Sequence, residues 1–219
     1  FKILNRISHH RETFFGTPFE VINIPKPNNT AYTADALRNH TDLPYFEYAP
    51  GYQFLHCLVN EANGGLSSVV DGFAVANYLK KNEKDVFNIL AKTHVKFKDT
   101  DYTQKAVRIL HSPIITLTKD NDFNDIRFSM AAMGAVDVDP KEMKKFYDAY
   151  QYFASLLQNK KFKIDFRLEA GDIFCFNNRR VLHGRTEFDP NSGNRHLQGY
   201  YIERDEIIGR LNYFNNIKV

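Results

Sequence analysis

The sequence predicts a mainly β (α+β) protein, a β-barrel or jelly roll that carries helices on its outside. Three observations predict it. Short runs rich in β-branched and aromatic residues recur between turns built from Gly, Pro, Asn and Asp. Two regions carry helical signals instead, a stretch capped by Asp71 and a longer one opened by Asp139-Pro140. The 219 residues, 43% hydrophobic and 14% aromatic, suffice for one substantial core, so 1–219 reads as a single domain.

The elements follow in order. Phe1 to Arg11 is a short apolar piece and then a basic, His-rich stretch, and Gly16-Thr17-Pro18 marks a turn among aromatics. Asn23 to Thr30 is a loop. Tyr52 to Val59 reads as a buried strand, Asn63-Gly64-Gly65 as a turn, and Ser67 to Val70 as its partner strand. Asp71 caps a helix over Phe73 to Lys81, and a second helix fits Glu83 to Ala91. Further strands are expected at Val95 to Lys98, within Val107 to Leu117, and at Ile126 to Met130. Asp139-Pro140-Lys141-Glu142 starts a helix whose apolar stripe runs Met143, Phe146, Tyr147, Tyr150, Phe153, Ala154 and Leu157. Such a stripe is core packing. Strands are then expected at Phe162 to Leu168, Ile173 to Phe176, Val181 to Gly184 and Arg195 to Ile202, and a short helix over Asp205 to Phe214.

Composition narrows the function classes. No apolar run is long enough to span a bilayer. The net charge is only +3 and the basic residues are scattered, which argues against nucleic acid as a partner. Cys57 and Cys175 lie in apolar runs, where buried free thiols and a reducing compartment are expected. A cytoplasmic location follows, with a mitochondrial one as the alternative.

The stretch with chemistry in it is His40-Thr41-Asp42. In extended backbone, residues two apart share a face, so an imidazole and a carboxylate can aim at one point. A third ligand, His183 in Val181-Leu182-His183-Gly184-Arg185, would complete a facial triad of two histidines and one carboxylate. Alone the pair is a weak signal, because most such pairs are surface polar residues. His183 alone would read as a core histidine, and Arg195, twelve residues on, as a surface arginine.

Longer motifs change that weighting. Asn29-x-Ala31-Tyr32-Thr33, His40-Thr41-Asp42-Leu43-Pro44-Tyr45, Pro50 to Leu58, Gly64-Gly65, Val70-Asp71-Gly72-Phe73, Arg180 to Arg185 and Arg195-His196-Leu197-Gln198-Gly199 stand in one order along the chain. Together they resemble the 2-oxoglutarate- and Fe(II)-dependent oxygenases of the taurine dioxygenase-like group, in the branch of the gamma-butyrobetaine and trimethyllysine dioxygenases. The resemblance runs from about Phe14 to the end. It implies a double-stranded β-helix, the clavaminate synthase-like jelly roll, with the metal at its mouth.

The resemblance implies that His40, Asp42 and His183 hold Fe(II) and are the catalytic residues. It assigns Arg195 to the distal carboxylate of 2-oxoglutarate, which suits a guanidinium fork, and Leu55 to the lining of the cosubstrate pocket. O2 is the oxidant, ascorbate an auxiliary reductant, and a homodimer is suggested. The substrate side maps an aromatic cage onto Phe15, Phe19, Tyr32 and Tyr201, and a carboxylate contact onto Asn29. A quaternary ammonium cannot donate a normal hydrogen bond and is held by aromatic faces, so the implied substrate is a small cationic acid. The implied reaction is hydroxylation of such a trimethylammonium acid, gamma-butyrobetaine to carnitine first.

The chain departs from that pattern in places. It has no tryptophan, and Phe19 and Arg179 stand where the family carries one. The Asn-rich strand expected after Arg127 reads Phe128-Ser129-Met130-Ala131-Ala132, which loses polar groups. The alternatives are hydroxylation of trimethyllysine or another cationic amino acid, or a cupin-like binding protein without catalysis. A zinc hydrolase would accept the same three ligands. Arg179, Arg180 and Arg185 read as solvated or ion-paired.

Overall fold

The computed structural model describes residues 2–23 and 30–216. Its elements are α1 (Lys2–Ile7), β1 (His10–Arg11), β2 (Phe19–Ile22), β3 (Leu37–His40), β4 (Tyr52–Asn60), β5 (Ser67–Asp71), α2 (Gly72–Asn82), α3 (Lys84–Lys92), β6 (Val95–Asp101) and β7 (Ala106–Ser112). Then come β8 (Ile115–Leu117), β9 (Phe123–Ile126), α4 (Pro140–Leu156), β10 (Lys163–Phe166), β11 (Ile173–Asn177), β12 (Val181–Arg185), β13 (Arg195–Ile202) and α5 (Arg204–Asn216). Two sheets make the jelly roll. One runs β1-β13-β4-β11, with β2 also paired to β13, and the other runs β10-β5-β12-β3. β6 with β7 and β8 with β9 form separate two-stranded ribbons.

The four-stranded sheet divides its side chains by strand alternation. Leu182 stands opposite Val70, and both are buried in the main core with Leu79, Leu90, Phe146 and Phe153 from α2, α3 and α4. Their neighbours His183 and Arg185 point to the other face, into the space between the sheets. The helices therefore cover the outside of this sheet and leave its inner face for a cavity. Asp71 caps α2 by accepting from the backbone N–H of Phe73 at 3.0 Å, and Asp139 caps α4 by accepting from that of Lys141 at 2.8 Å. The α4 stripe is buried at Phe146, Tyr150, Phe153 and Leu157, but Tyr147 falls on the solvent side.

Four expectations are corrected. Ser67 to Val70 does not pair with β4. β5 joins β10 and β12 in the other sheet, because Gly64 and Gly65, with φ of 87° and 66°, carry the chain across between sheets where a hairpin was expected. The strand expected at Ile126 to Met130 ends at Ile126. Beyond it the backbone bonds elsewhere: Thr41 N–H donates to the Phe128 carbonyl at 2.8 Å, and Phe128 N–H donates to the Thr41 hydroxyl at 3.1 Å. Cys175 is exposed, whereas Cys57 is buried. β11 is an edge strand, and its alternate residues Ile173 and Cys175 face outward. Arg185 is not solvated, and it enters no ion pair among the described residues. It is buried and donates to the carbonyls of Thr33 at 2.7 Å and Asp35 at 2.8 Å. Arg179 and Arg180 do pair, with Asp125 and Asp71.

Candidate active site

β3 and β12 pair antiparallel with His40 directly opposite His183. This register puts the two rings 4.4 Å apart, centroid to centroid. Asp42, two residues beyond His40, returns to the same point. His40 Nε2 lies 3.2 Å and His183 Nε2 3.8 Å from Asp42 Oδ1. One ligand atom from each residue lies within 4.8 Å of the others. Among the described residues this is the one such cluster of three or more His, Cys, Asp or Glu ligands.

Asp42 sits just past the end of β3, and its geometry is imposed from outside. The fully buried Asn178 accepts the Asp42 N–H at 2.7 Å and donates to the Asp42 carbonyl at 3.1 Å and the Pro50 carbonyl at 3.2 Å. Thr41 is tied to Phe128 as described above. Leu43, which follows, has φ of 52°, a left-handed conformation that a leucine holds only when its surroundings fix it. The carboxylate itself is divided between two tasks. Oδ2 accepts from the Tyr201 hydroxyl at 2.6 Å, and Oδ1 faces both imidazoles.

The protonation pattern suits a cation. His40 Nδ1 lies 2.9 Å from the Arg38 carbonyl, which can only accept, so the ring proton belongs on Nδ1 and Nε2 keeps a lone pair. That lone pair then faces a carboxylate oxygen, an arrangement in which two acceptors need a proton or a metal ion between them. Burial pushes the Asp42 carboxyl up, but the two imidazoles and the Tyr201 hydroxyl outweigh it and hold it well below the usual carboxylate range. Burial lowers the His183 imidazole to about 4, so this ring is neutral at pH 7. In His40 the pull of Asp42 outweighs burial and the imidazole is raised. His183 Nδ1 is buried without a hydrogen-bond partner among the described residues. The donor set of two imidazole nitrogens and one carboxylate oxygen fits Fe(II).

The triad opens on a cavity of about 580 Å³ between the sheets. Phe15, Phe19, Tyr32, Tyr201, Leu55 and Arg195 all line it, so every expected site residue with a described side chain faces one space. Asn29 lies outside the described residues. Phe19 stacks on Tyr201 with centroids 4.9 Å apart, and Phe15 stands 6.4 Å from Phe19. Phe19 fits there because β2 pairs with β13 at Gly199, and a side chain at Gly199 would occupy the Phe19 ring. The aromatic group therefore adjoins the triad through one bond, from Tyr201 to Asp42. Arg195 is half-buried, its guanidinium 5.5 Å from the Phe188 ring centroid, and its Nε has no partner among the described residues. Burial lowers its pKa to about 10, so it stays a cation at pH 7.

Three residues of the site carry little or no local signal in the sequence. Asn178 reads as a turn, Arg185 as a surface charge, and Gln53, buried on the lining with Oε1 unpartnered among the described residues, as part of a strand. Only the asparagine pair at 177–178 before β12 hints at a structural bond.

The chain is similar to known proteins. Residues 1–201 match the family described as "Taurine catabolism dioxygenase TauD, TfdA family". The chain is 41% identical over 209 residues to a gamma-butyrobetaine dioxygenase of Pseudomonas sp. (strain AK-1), covering 95% of this chain and 54% of the relative. It is 30% identical over 217 residues to a trimethyllysine dioxygenase of Meyerozyma guilliermondii, covering 98% of this chain and 54% of the relative. The chain thus spans about half the length of the curated relatives it matches. A solved asparagine oxygenase, in complex with Fe(II), a hydroxyasparagine and succinate, superposes with a TM-score of 0.68 at 19% identity, over 84% of this chain and 56% of that one. The match over residues 1–201 spans most of the chain, and the chain belongs to the TauD, TfdA dioxygenase family.

Proposed function

We propose that this chain carries the active site of an Fe(II)- and 2-oxoglutarate-dependent oxygenase that hydroxylates a small trimethylammonium carboxylic acid, with gamma-butyrobetaine the first candidate. The observation that carries the proposal is the convergence of His40, Asp42 and His183 within 4.8 Å on a cavity shared with Arg195 and four aromatic rings. Bound by these three residues, Fe(II) with O2 and 2-oxoglutarate supplies C–H oxidation coupled to decarboxylation of the cosubstrate to succinate.

The chain's own residues bind, orient and exclude water. His40 and His183 each present Nε2, and Asp42 presents Oδ1 while Tyr201 engages its other oxygen. Three protein ligands would leave positions on the ion open to other molecules. Arg195 holds the far carboxylate of the keto-diacid, and Leu55 shields it. The partly desolvated guanidinium makes that contact stronger than it would be in water. Phe15, Phe19, Tyr32 and Tyr201 offer ring faces to a weakly hydrated cation, and the Tyr201–Asp42 bond sets the distance between that cation and the metal ligands.

Succinate formation tests the proposal. The Fe(II)-loaded protein should release succinate from 2-oxoglutarate in step with a gain of one oxygen by gamma-butyrobetaine, and His183→Ala or Asp42→Ala should abolish both. The same mass assay run with trimethyllysine separates the two trimethylammonium substrates. Equal inactivity on all cationic acids would remove the cage assignment, and full turnover in either variant would remove the triad.

A further inference from the structure

Three carboxylates line the cavity, and each already has a partner. Asp42 belongs to the triad and to Tyr201. Asp99 pairs with Arg108 at 2.9 Å. Glu20 bonds His196, and its other oxygen accepts from Gln198 at 3.0 Å. Of the arginines on the lining, Arg185 is spent on backbone carbonyls, and Arg195 is the half-buried guanidinium beside Phe188. Arg38 remains. It also lines the cavity, its side chain is exposed, and it enters no ion pair among the described residues. Its contact is the Met130 sulfur at 3.9 Å, a weak acceptor that cannot neutralise a cation.

The placement of Arg38 is specific. It lies two residues before His40 on β3, where the pairing with β12 shifts register, and both residues line the cavity. The wall beside it is Met130-Ala131-Ala132, whose side chains do not compete for a carboxylate. The aromatic group meets the triad at Asp42, through Tyr201. Arg38 adjoins it at His40, whose Nδ1 bonds the Arg38 carbonyl. A short molecule with a cationic head among the rings and an anionic end at Arg38 would lie across the three ligand atoms.

We propose that Arg38 is a specificity-determining residue that anchors the carboxylate of the substrate by its guanidinium fork. The proposal rests on the reading of the cavity as a site for a small trimethylammonium acid, and adds the group that selects the acid over neutral analogues. Asn29, which the family resemblance assigns to the same carboxylate, is uncharged, so its contact adds no ion pair. Lys98 is the competing cation on the lining, on β6 beside Ala132, whose carbonyl accepts from the Lys98 N–H at 2.8 Å, but its ammonium lacks the planar fork.

The test compares an acid with its amide. Oxygen-free protein loaded with Mn(II) and 2-oxoglutarate is titrated calorimetrically with gamma-butyrobetaine and with its carboxamide, for wild type, Arg38→Ala, Arg38→Lys and Lys98→Ala. Wild type should prefer the acid. Arg38→Ala should weaken acid binding about 10- to 100-fold, the range of a charged hydrogen-bonded contact, and leave amide and 2-oxoglutarate binding within about twofold. Arg38→Lys should recover part of the preference. Equal loss for acid and amide, no loss, or collapse of the preference in Lys98→Ala instead would overturn the assignment. Failure of the trimethylammonium reading has a different mark: wild type then binds neither ligand. In that case 4-aminobutyrate and its amide are compared in the same way, and absence of an Arg38-dependent acid preference overturns the proposal.

Discussion

Asn178→Ala is the most informative single substitution outside the triad. The Asn178 side chain is fully buried and makes three hydrogen bonds, two to the backbone of Asp42 and one to the Pro50 carbonyl. At about 1 kcal/mol net for each, their loss removes about 3 kcal/mol. The part-buried Asp42 N–H is then left without its partner, which adds about 1–2 kcal/mol. The expected cost is therefore about 4 kcal/mol, a large share of the roughly 5–15 kcal/mol that holds a domain folded. Urea unfolding monitored by circular dichroism reads this directly. The same change frees the backbone that aims Asp42, and loss of such an outer contact typically weakens metal binding about 10- to 100-fold. Mn(II) titration of the folded fraction reads that second effect. Phe153→Leu, in the helix-covered core, serves as the comparison: it should lower stability and leave metal affinity unchanged. If Asn178→Ala cost less than 1 kcal/mol and bound Mn(II) as wild type does, the clamp on Asp42 would not exist.

Three further outcomes are expected. Arg195→Gln should raise the 2-oxoglutarate KM by about 10- to 100-fold without altering Mn(II) affinity, since it removes a charged fork and touches no metal ligand; steady-state kinetics with a metal titration checks both. Gly199→Ala places a methyl group inside the Phe19 ring, so Phe19 must leave its stack on Tyr201. Its thermal midpoint should fall and its affinity for gamma-butyrobetaine should drop, with 2-oxoglutarate affinity retained. Asp71→Ala removes the α2 cap and the contact with Arg180, with an expected cost of about 1 kcal/mol at pH 7. Burial raises the Asp71 carboxyl, but Arg180 and the cap N–H groups outweigh it and hold it below the ordinary value. Its contribution is thus complete above about pH 3.9 and fades as pH falls through the depressed pKa. Urea unfolding should show wild type and variant converging toward pH 2, and a gap as large at pH 2 as at pH 7 would contradict the assignment.

The jelly roll, the helical cover and the triad were legible in the residues because each rests on a local pattern or an ordered motif. The apolar stripe of α4 and the cap at Asp71 follow from neighbours in sequence. The same kind of reading misses bonds between distant segments. β5 looked like the hairpin partner of β4, and nothing local says that two left-handed glycines carry it into the other sheet. Ile126 to Met130 has strand composition, yet its backbone is bonded to Thr41, 87 residues away. Arg185 and Asn178 have polar side chains that composition assigns to the surface. Both are buried because backbone carbonyls left open by the loops at 31–35 and 42–50 need donors. Cys175 looked apolar by its neighbours, but an edge strand turns one of its faces outward.

The most direct measurement is an oxygen-free titration of the metal-free protein with Fe(II), in the presence and absence of 2-oxoglutarate, followed by visible absorption. A keto acid chelated to Fe(II) gives a charge-transfer band that neither component gives alone. The band should saturate at one Fe(II) per chain, vanish in His183→Ala, and need far more 2-oxoglutarate in Arg195→Gln. A full-intensity band in His183→Ala, or no band in wild type at saturating 2-oxoglutarate, would contradict the account.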